Sequence, residues 1–218
     1  MPTKTMTKRK NPFLLMMSLV ALLLIHPFVY TQVARPFFYS IILSFVVFSG
    51  GASTYLPRWR KVEWIFGLAA IAMTWLAFVF PSITLASHIA LLSFFILTAG
   101  ILIQQFIIQP RVDSVMLIST IDAYLLIGFA GSLLSLIVYE LVLASFNLPA
   151  HFGNPQFEDF VYFSFVTLAT LGYGDITPIH PIAQTLAVLL TMIGQIYFAM
   201  VVALAISKYV GGQAKSEG

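Results

Sequence analysis

Cysteine is absent from the 218 residues, and charge is scarce, with Asp, Glu, Lys and Arg together making up 9% of the chain. The first absence excludes disulfides and thiol-based metal or redox chemistry. The second excludes an ordinary soluble domain, which is about one-quarter charged. Disorder goes with it. The chain is 60% hydrophobic and 15% aromatic, with a mean hydropathy of +0.96, whereas disordered segments are polar and poor in aromatics. A soluble monomer of this composition would expose large apolar patches. Also missing are a phosphate-binding glycine loop, zinc-ligand spacing and a nucleophile elbow. No enzyme, organic cofactor or nucleic-acid partner is expected. What remains is an all-α, multi-pass membrane protein whose surroundings are lipids.

A helix crosses the bilayer with about 20 mostly apolar residues. Such runs cover about Phe13 to Tyr30, Pro36 to Leu56, Val62 to Phe80 and Ile83 to Ile108, the last closed by Pro110. The next apolar stretch, Arg111 to Asn147, would be roughly 55 Å long as one helix, against a hydrocarbon core of about 30 Å. It is expected to split into a linker helix, Arg111 to Thr120, and a fifth span, Asp122 to Phe146. Asp122 then sits at a helix start near the interface, where a carboxylate is favourable. A sixth span covers Ile182 to Val210. A shorter apolar piece, Pro155 to Ala169, cannot cross. The expected division is 1–110 as a four-span N-terminal domain, 111–121 as a linker helix, 122–210 as the remaining domain and 211–218 as a tail.

Six spans put both termini on one side. Lys4, Lys8, Arg9 and Lys10 precede the first span. Arg58, Arg60 and Lys61 separate the second and third, Arg111 follows the fourth, and Lys208 and Lys215 end the chain. Of the 11 basic residues only Arg35 lies opposite, so the positive-inside rule makes both termini cytoplasmic in a cell membrane. No small-residue cleavage site follows the first span, which is expected to remain uncleaved.

The outward-facing piece reads NPQFEDFVYFSFVTLATLGYGDITP, Asn154 to Pro178. Asn154 and Pro155 form a cap and first-turn pair, and Glu158 and Asp159 suit the positive end of a helix. A short helix therefore points its negative end into the membrane, where it favours a cation. Beyond it the chain runs non-helical at membrane depth, which is tolerated only inside protein or along a polar path. Gly172 and Gly174 permit the positive φ that turns successive carbonyls to one side.

Thr170-Leu171-Gly172-Tyr173-Gly174-Asp175 strongly resembles the potassium-channel filter motif, with Leu171 where the best-known form has Val. The resemblance covers about residues 122 to 210. The order of spans is similar to the voltage-gated-like branch of tetrameric potassium channels. It implies six transmembrane helices, a re-entrant pore helix and a selectivity-filter loop. It further implies a fourfold homotetramer, because one chain supplies one quarter of a filter. The implied K+ ligands are carbonyls of Thr170, Leu171, Gly172 and Tyr173, with the Thr170 hydroxyl. The implied activity is passive, potassium-selective conduction.

That branch carries an arginine at every third position of its fourth span, whereas Ile83 to Ile108 holds no Lys or Arg. A gating charge supplies about 2.3 kcal/mol per 100 mV, so steep voltage gating is not expected. Gly194 matches the hinge glycine of many inner helices; close helix contact is the equal alternative. Gln195, Ala199, Val202 and Ile206 share one helix face, and with Phe198 they are the implied cavity and gate residues. Packing toward lipid or neighbouring helices is the alternative for that face. Tyr162, Phe163 and Val166 on the pore helix are the implied filter support. So is Glu140, expected to bond to backbone near the pore loop. Asp175 either concentrates cations at the mouth or caps the exit turn. His151 and His180 flank the entrance, either as proton sensors or as solvated loop residues. Gly50, Gly51, Gly128 and Gly131 are expected at close helix contacts.

No room is expected for a soluble ligand-gating domain at either end. Competing functions are a poorly selective cation channel, a channel-like regulatory subunit, and a secondary transporter. The last calls for interrupted helices in both halves.

Overall fold

The computed structural model describes residues 12–24, 35–54, 56–109, 114–149 and 155–214, with the side chains of 35, 36 and 208–214 excluded. Among these residues there are seven α-helices: α1 (Phe13–Leu24), α2 (Arg35–Ser53), α3 (Pro57–Val79), α4 (Thr84–Ile108), α5 (Ser114–Leu141), α6 (Phe157–Leu168) and α7 (Pro181–Ala214). One antiparallel pair, β1 (Phe146–Asn147) with β2 (Thr177–Pro178), joins the segment after α5 to the segment before α7.

Proline sets several boundaries. Pro57 opens α3, where its missing N–H costs nothing. Phe80 stops α3 at ψ 85°, ahead of Pro81. Gln109 ends α4 at ψ 128°, ahead of Pro110. A residue before proline is pushed out of the helical region. Pro181 opens α7, and His180 Nδ1 accepts the N–H of Ile182 at 3.3 Å.

Among the described residues, four helical segments are long and apolar enough to cross a membrane: Pro57–Val79, Pro81–Ile108, Ser114–Leu141 and Pro181–Ser207. α1 and the described part of α2, Phe37–Ser53, are apolar but shorter. The protein is a multi-pass membrane protein. The third run starts five residues before its expected edge, so Arg58, Arg60 and Lys61 lie on the first turns of α3 rather than in a loop.

The split expected near Thr120 is absent. α5 runs unbroken from Ser114 to Leu141. At about 42 Å it exceeds the hydrocarbon core, which is allowed when its ends project or pack on protein. Asp122 is therefore the ninth residue of a helix and not a helix start, and it is fully buried.

α5 is the axis of the fold. α4 packs antiparallel along it, α6 lies across it, and α1 and α7 also touch it. The main core joins Leu15, Leu19 and Leu22 of α1 and Val46 and Val47 of α2 to Phe94 and Phe95 of α4. It continues through Leu126, Phe129 and Leu133 of α5 and reaches Tyr197 of α7. A second cluster, Leu136, Phe146, Phe160, Phe163, Ile176 and Ala183, holds β1, α6 and the start of α7 together.

Candidate functional site

α6 is short because its two ends are fixed chemically. Gln156 is the N-cap, and its side chain accepts from the helix while the Asp159 carboxylate accepts the Gln156 N–H at 2.8 Å. This capping box satisfies free donors at the first turn. The sequence pattern favoured Asn154 as cap and Pro155 in the first turn. Asn154 lies outside the described residues, as does His151, and Pro155 precedes the helix. Glu158 and Asp159 do fall in the first turn.

Depth is set where α6 meets α5. The Ser164 hydroxyl donates to the Gly128 carbonyl at 2.7 Å. A Cβ at Gly128 would run into the Phe165 ring, and one at Gly131 into Ser164 Oγ and Leu190. These glycines let α6 lie against the axis of the fold. At the far end of α6, a Cβ on Gly194 would fall on the Leu168 carbonyl oxygen. Close contact is thus sufficient reason for Gly194, and α7 continues through it without a break.

Beyond Leu168 the chain leaves the helix. The N–H groups of Ala169 and Thr170 bond to Phe165 and Thr167 carbonyls at 2.9 and 3.0 Å. Those of Leu171 and Gly172 both reach the Val166 carbonyl, at 2.9 and 3.4 Å. Val166 therefore supports the loop through its backbone. Positive φ recurs at every second residue: Thr170 at 60°, Gly172 at 57° and Gly174 at 81°. The two glycines behave as expected. Thr170 is a finding, since a β-branched residue in this region is an outlier. Leu171 and Tyr173 are 60% and 67% exposed.

Asp175 folds back over this loop. It accepts the Tyr162 hydroxyl at 2.6 Å through one oxygen and the Ile176 N–H at 3.0 Å through the other. The hydrogen bond to Asp175 is the main reason the Tyr162 phenol is pushed up to about 12, so the hydroxyl stays a donor at any ordinary pH. The Tyr162 and Tyr173 rings stack 6.4 Å apart and 11° from parallel. Phe163 faces elsewhere: it is buried in the second cluster, edge-on to Phe146 at 5.2 Å.

Glu140 departs from expectation. Its carboxylate lies 3.2 Å from His88 Nδ1 of α4, and among the described residues it makes no hydrogen bond to the backbone of residues 155–178. The span pattern placed Glu140 in the outer part of its helix but could not see a partner 52 positions earlier. His180 serves as a cap of α7. Gln195, Phe198, Ala199, Val202 and Ile206 are all exposed on α7, whereas Ala183, Leu190, Gly194 and Tyr197 form the stripe packed inside the chain.

Two acids escaped the sequence reading as buried groups. Glu63 of α3 is fully buried and accepts the Thr98 hydroxyl at 3.2 Å. Asp122 is fully buried as well. An acid close to a span edge reads as interfacial, and only the packing of the other helices reveals otherwise.

Compared with known families, residues 119–210 match the one described as ion channel. That is 92 of the 218 residues, covering α5 to α7 and leaving α1 to α4 outside. The match is to an ion channel domain, not to an enzyme. Comparison with curated proteins and with solved structures gives no match.

Proposed function

We propose that four copies of this chain form a potassium-selective channel, with the ion channel domain of residues 119–210 lining the conduction path. One observation carries the reading. An irregular strand with left-handed residues at 170, 172 and 174 ends a short capped helix, and it is exposed along its length in the protomer. Irregular backbone cannot face lipid, because its polar groups would go unsatisfied. It needs other subunits around it and a polar path in front of it, and fourfold closure supplies both. Alternating left-handed residues turn the carbonyls of Thr170, Leu171, Gly172 and Tyr173 to one side, where they replace the water around K+. Tyr162 and Asp175 hold the strand from behind. Leu171 replaces a Val whose carbonyl, not side chain, meets the ion.

The exposed face of α7 completes the path. Gln195 and Ala199 line the inner cavity, and Phe198, Val202 and Ile206 supply apolar surface for a constriction that closes by dewetting. Gly194 permits the close approach of α7 to α6. With the basic residues held on the cytoplasmic side, both termini are cytoplasmic. Residues 1–110 form a four-span unit in the place of a voltage sensor, followed by the pore domain and a short tail. α4 carries no Lys or Arg, so conductance changes only shallowly with voltage.

The test is ion flux from liposomes holding the purified protein. Potassium efflux should greatly exceed sodium efflux, and replacing Tyr173 and Gly174 together should abolish it. Equal permeability to the two ions would replace this reading with a poorly selective cation channel. Flux that survives the double replacement would place the path elsewhere. In planar bilayers a steeply sigmoidal conductance–voltage curve would contradict the shallow voltage response.

A further inference from the structure

Asp122 is fully buried, and neither carboxyl oxygen has a hydrogen-bond partner among the described residues. Neighbouring hydroxyls are committed to their own helix: Ser119 donates to the Val115 carbonyl at 2.9 Å and Thr120 to the Leu117 carbonyl at 2.7 Å. Tyr197 of α7 meets α5 two residues before Asp122. Its single proton goes to the Thr120 carbonyl at 2.6 Å, and that bond ties the inner helix to α5. Gln105 of α4 is also buried, and both ends of its amide lack partners among the described residues. The antiparallel register set by His88 with Glu140 and Phe95 with Phe129 brings Gln105 level with residues 119–123 of α5. An uncommitted acid and an uncommitted amide thus share one level behind the inner helix.

Nothing charged among the described side chains answers Asp122. α1 holds no titratable residue between Phe13 and Leu24. α4 holds only His88, which is engaged with Glu140 at the other end of α5. The titratable groups of α6 are Glu158, Asp159 and Tyr162, in the half of the pore domain near the filter mouth. α7 offers Tyr197 and, at its start, His180; the Lys208 side chain lies outside the described residues. Tyr124, on α5 itself, places its ring 5.8 Å from that of Tyr197.

We infer that Asp122 is a proton switch behind the inner helix: neutral while Tyr197 ties α7 to α5, and ionised once α7 has withdrawn far enough to admit water. A lone carboxylate in this position is strongly disfavoured. Ionisation therefore needs hydration or a donated hydrogen bond, and none of the described side chains donates to Asp122 in the packed arrangement. The packed state holds one proton more than the withdrawn state. Raising pH on the Asp122 side releases that proton to water and favours withdrawal, by up to about tenfold in the equilibrium per pH unit. The inference deepens the channel reading by naming a stimulus for the helix that forms the proposed gate.

The decisive experiments use the full chain in vesicles and do not depend on conduction. Infrared spectra at neutral pH should show the C=O stretch of a protonated buried carboxyl, and Asp122→Asn should remove it. The chain lacks native cysteine, so Met200→Cys provides a single thiol on the part of α7 packed against the core. Its labelling rate should rise with pH several-fold more in the wild-type background than in Asp122→Asn. Absence of the band in the wild-type protein at neutral pH overturns the inference, even if the variant fails to fold. So does its persistence in Asp122→Asn, or an equal labelling response in both backgrounds. Potassium flux on the same vesicles separates the two readings: no flux refutes the potassium channel, while band and labelling decide the switch.

Discussion

At the scale of single residues the loop of residues 169–175 is held by few contacts, each with a distinct role. Thr170 sits in a conformation that costs on the order of 1–3 kcal/mol, and its N–H bond to Thr167 helps keep it there. The Tyr162 hydroxyl on Asp175 closes the other end. Tyr162→Phe keeps the ring stack on Tyr173 and deletes only that bond. Flux should fall several-fold while the oligomer stays intact on size-exclusion chromatography. Unchanged flux would show that Asp175 is held by other means. Gly194→Ala puts a methyl group onto the Leu168 carbonyl oxygen, a backbone atom with little freedom to move. Overpacking of this kind costs about 1–3 kcal/mol, read as a lower thermal midpoint. A variant as stable as the wild type would return Gly194 to the role of hinge. Gly172 and Gly174 were legible because glycine suits the positive φ that both adopt. Thr170 was not, since its positive φ is imposed by the turn out of α6 rather than by its own preference.

At the scale of elements, the features readable from sequence are those with local causes. Pro57, Pro81, Pro110 and Pro181 mark helix boundaries, and the acids Glu158 and Asp159 mark the start of α6. The unbroken α5 was not readable, because a limit on bilayer thickness says nothing about a helix covered by α1, α4, α6 and α7 over much of its length. The partner of Glu140 was hidden for the same reason: His88 meets it only because α4 and α5 are antiparallel neighbours. That contact is no strong clamp. Its side chains are 17% and 30% exposed, and exposed pairs contribute about 0.2–1 kcal/mol. A double-mutant cycle with His88→Ala and Glu140→Ala should give a coupling energy under about 1 kcal/mol by thermal or denaturant unfolding. A larger coupling would mean that the pair is shielded in the assembled protein.

At the scale of the whole molecule, the connection between α4 and α5 bears on how α1 to α4 sit against the ion channel domain of residues 119–210. α4 ends at Ile108 and α5 begins at Ser114, so five residues join them, with a reach of about 17 Å. A connection this short makes the two helices antiparallel neighbours in one chain, and they pack along each other. An exchanged arrangement, with the four-span unit resting on a neighbouring pore, would need a long linker helix. Residues 114–120 are instead the first turns of α5 itself. Contact between α1 to α4 and the ion channel domain then runs through the faces that α4 and α1 share with α5. The absence of native cysteine makes the arrangement testable without background. His88→Cys combined with Glu140→Cys, treated in membranes with a short thiol-to-thiol cross-linker, should yield product that migrates as a monomer on a denaturing gel. A ladder of dimers and higher species would place the contact between subunits and refute the unexchanged assembly.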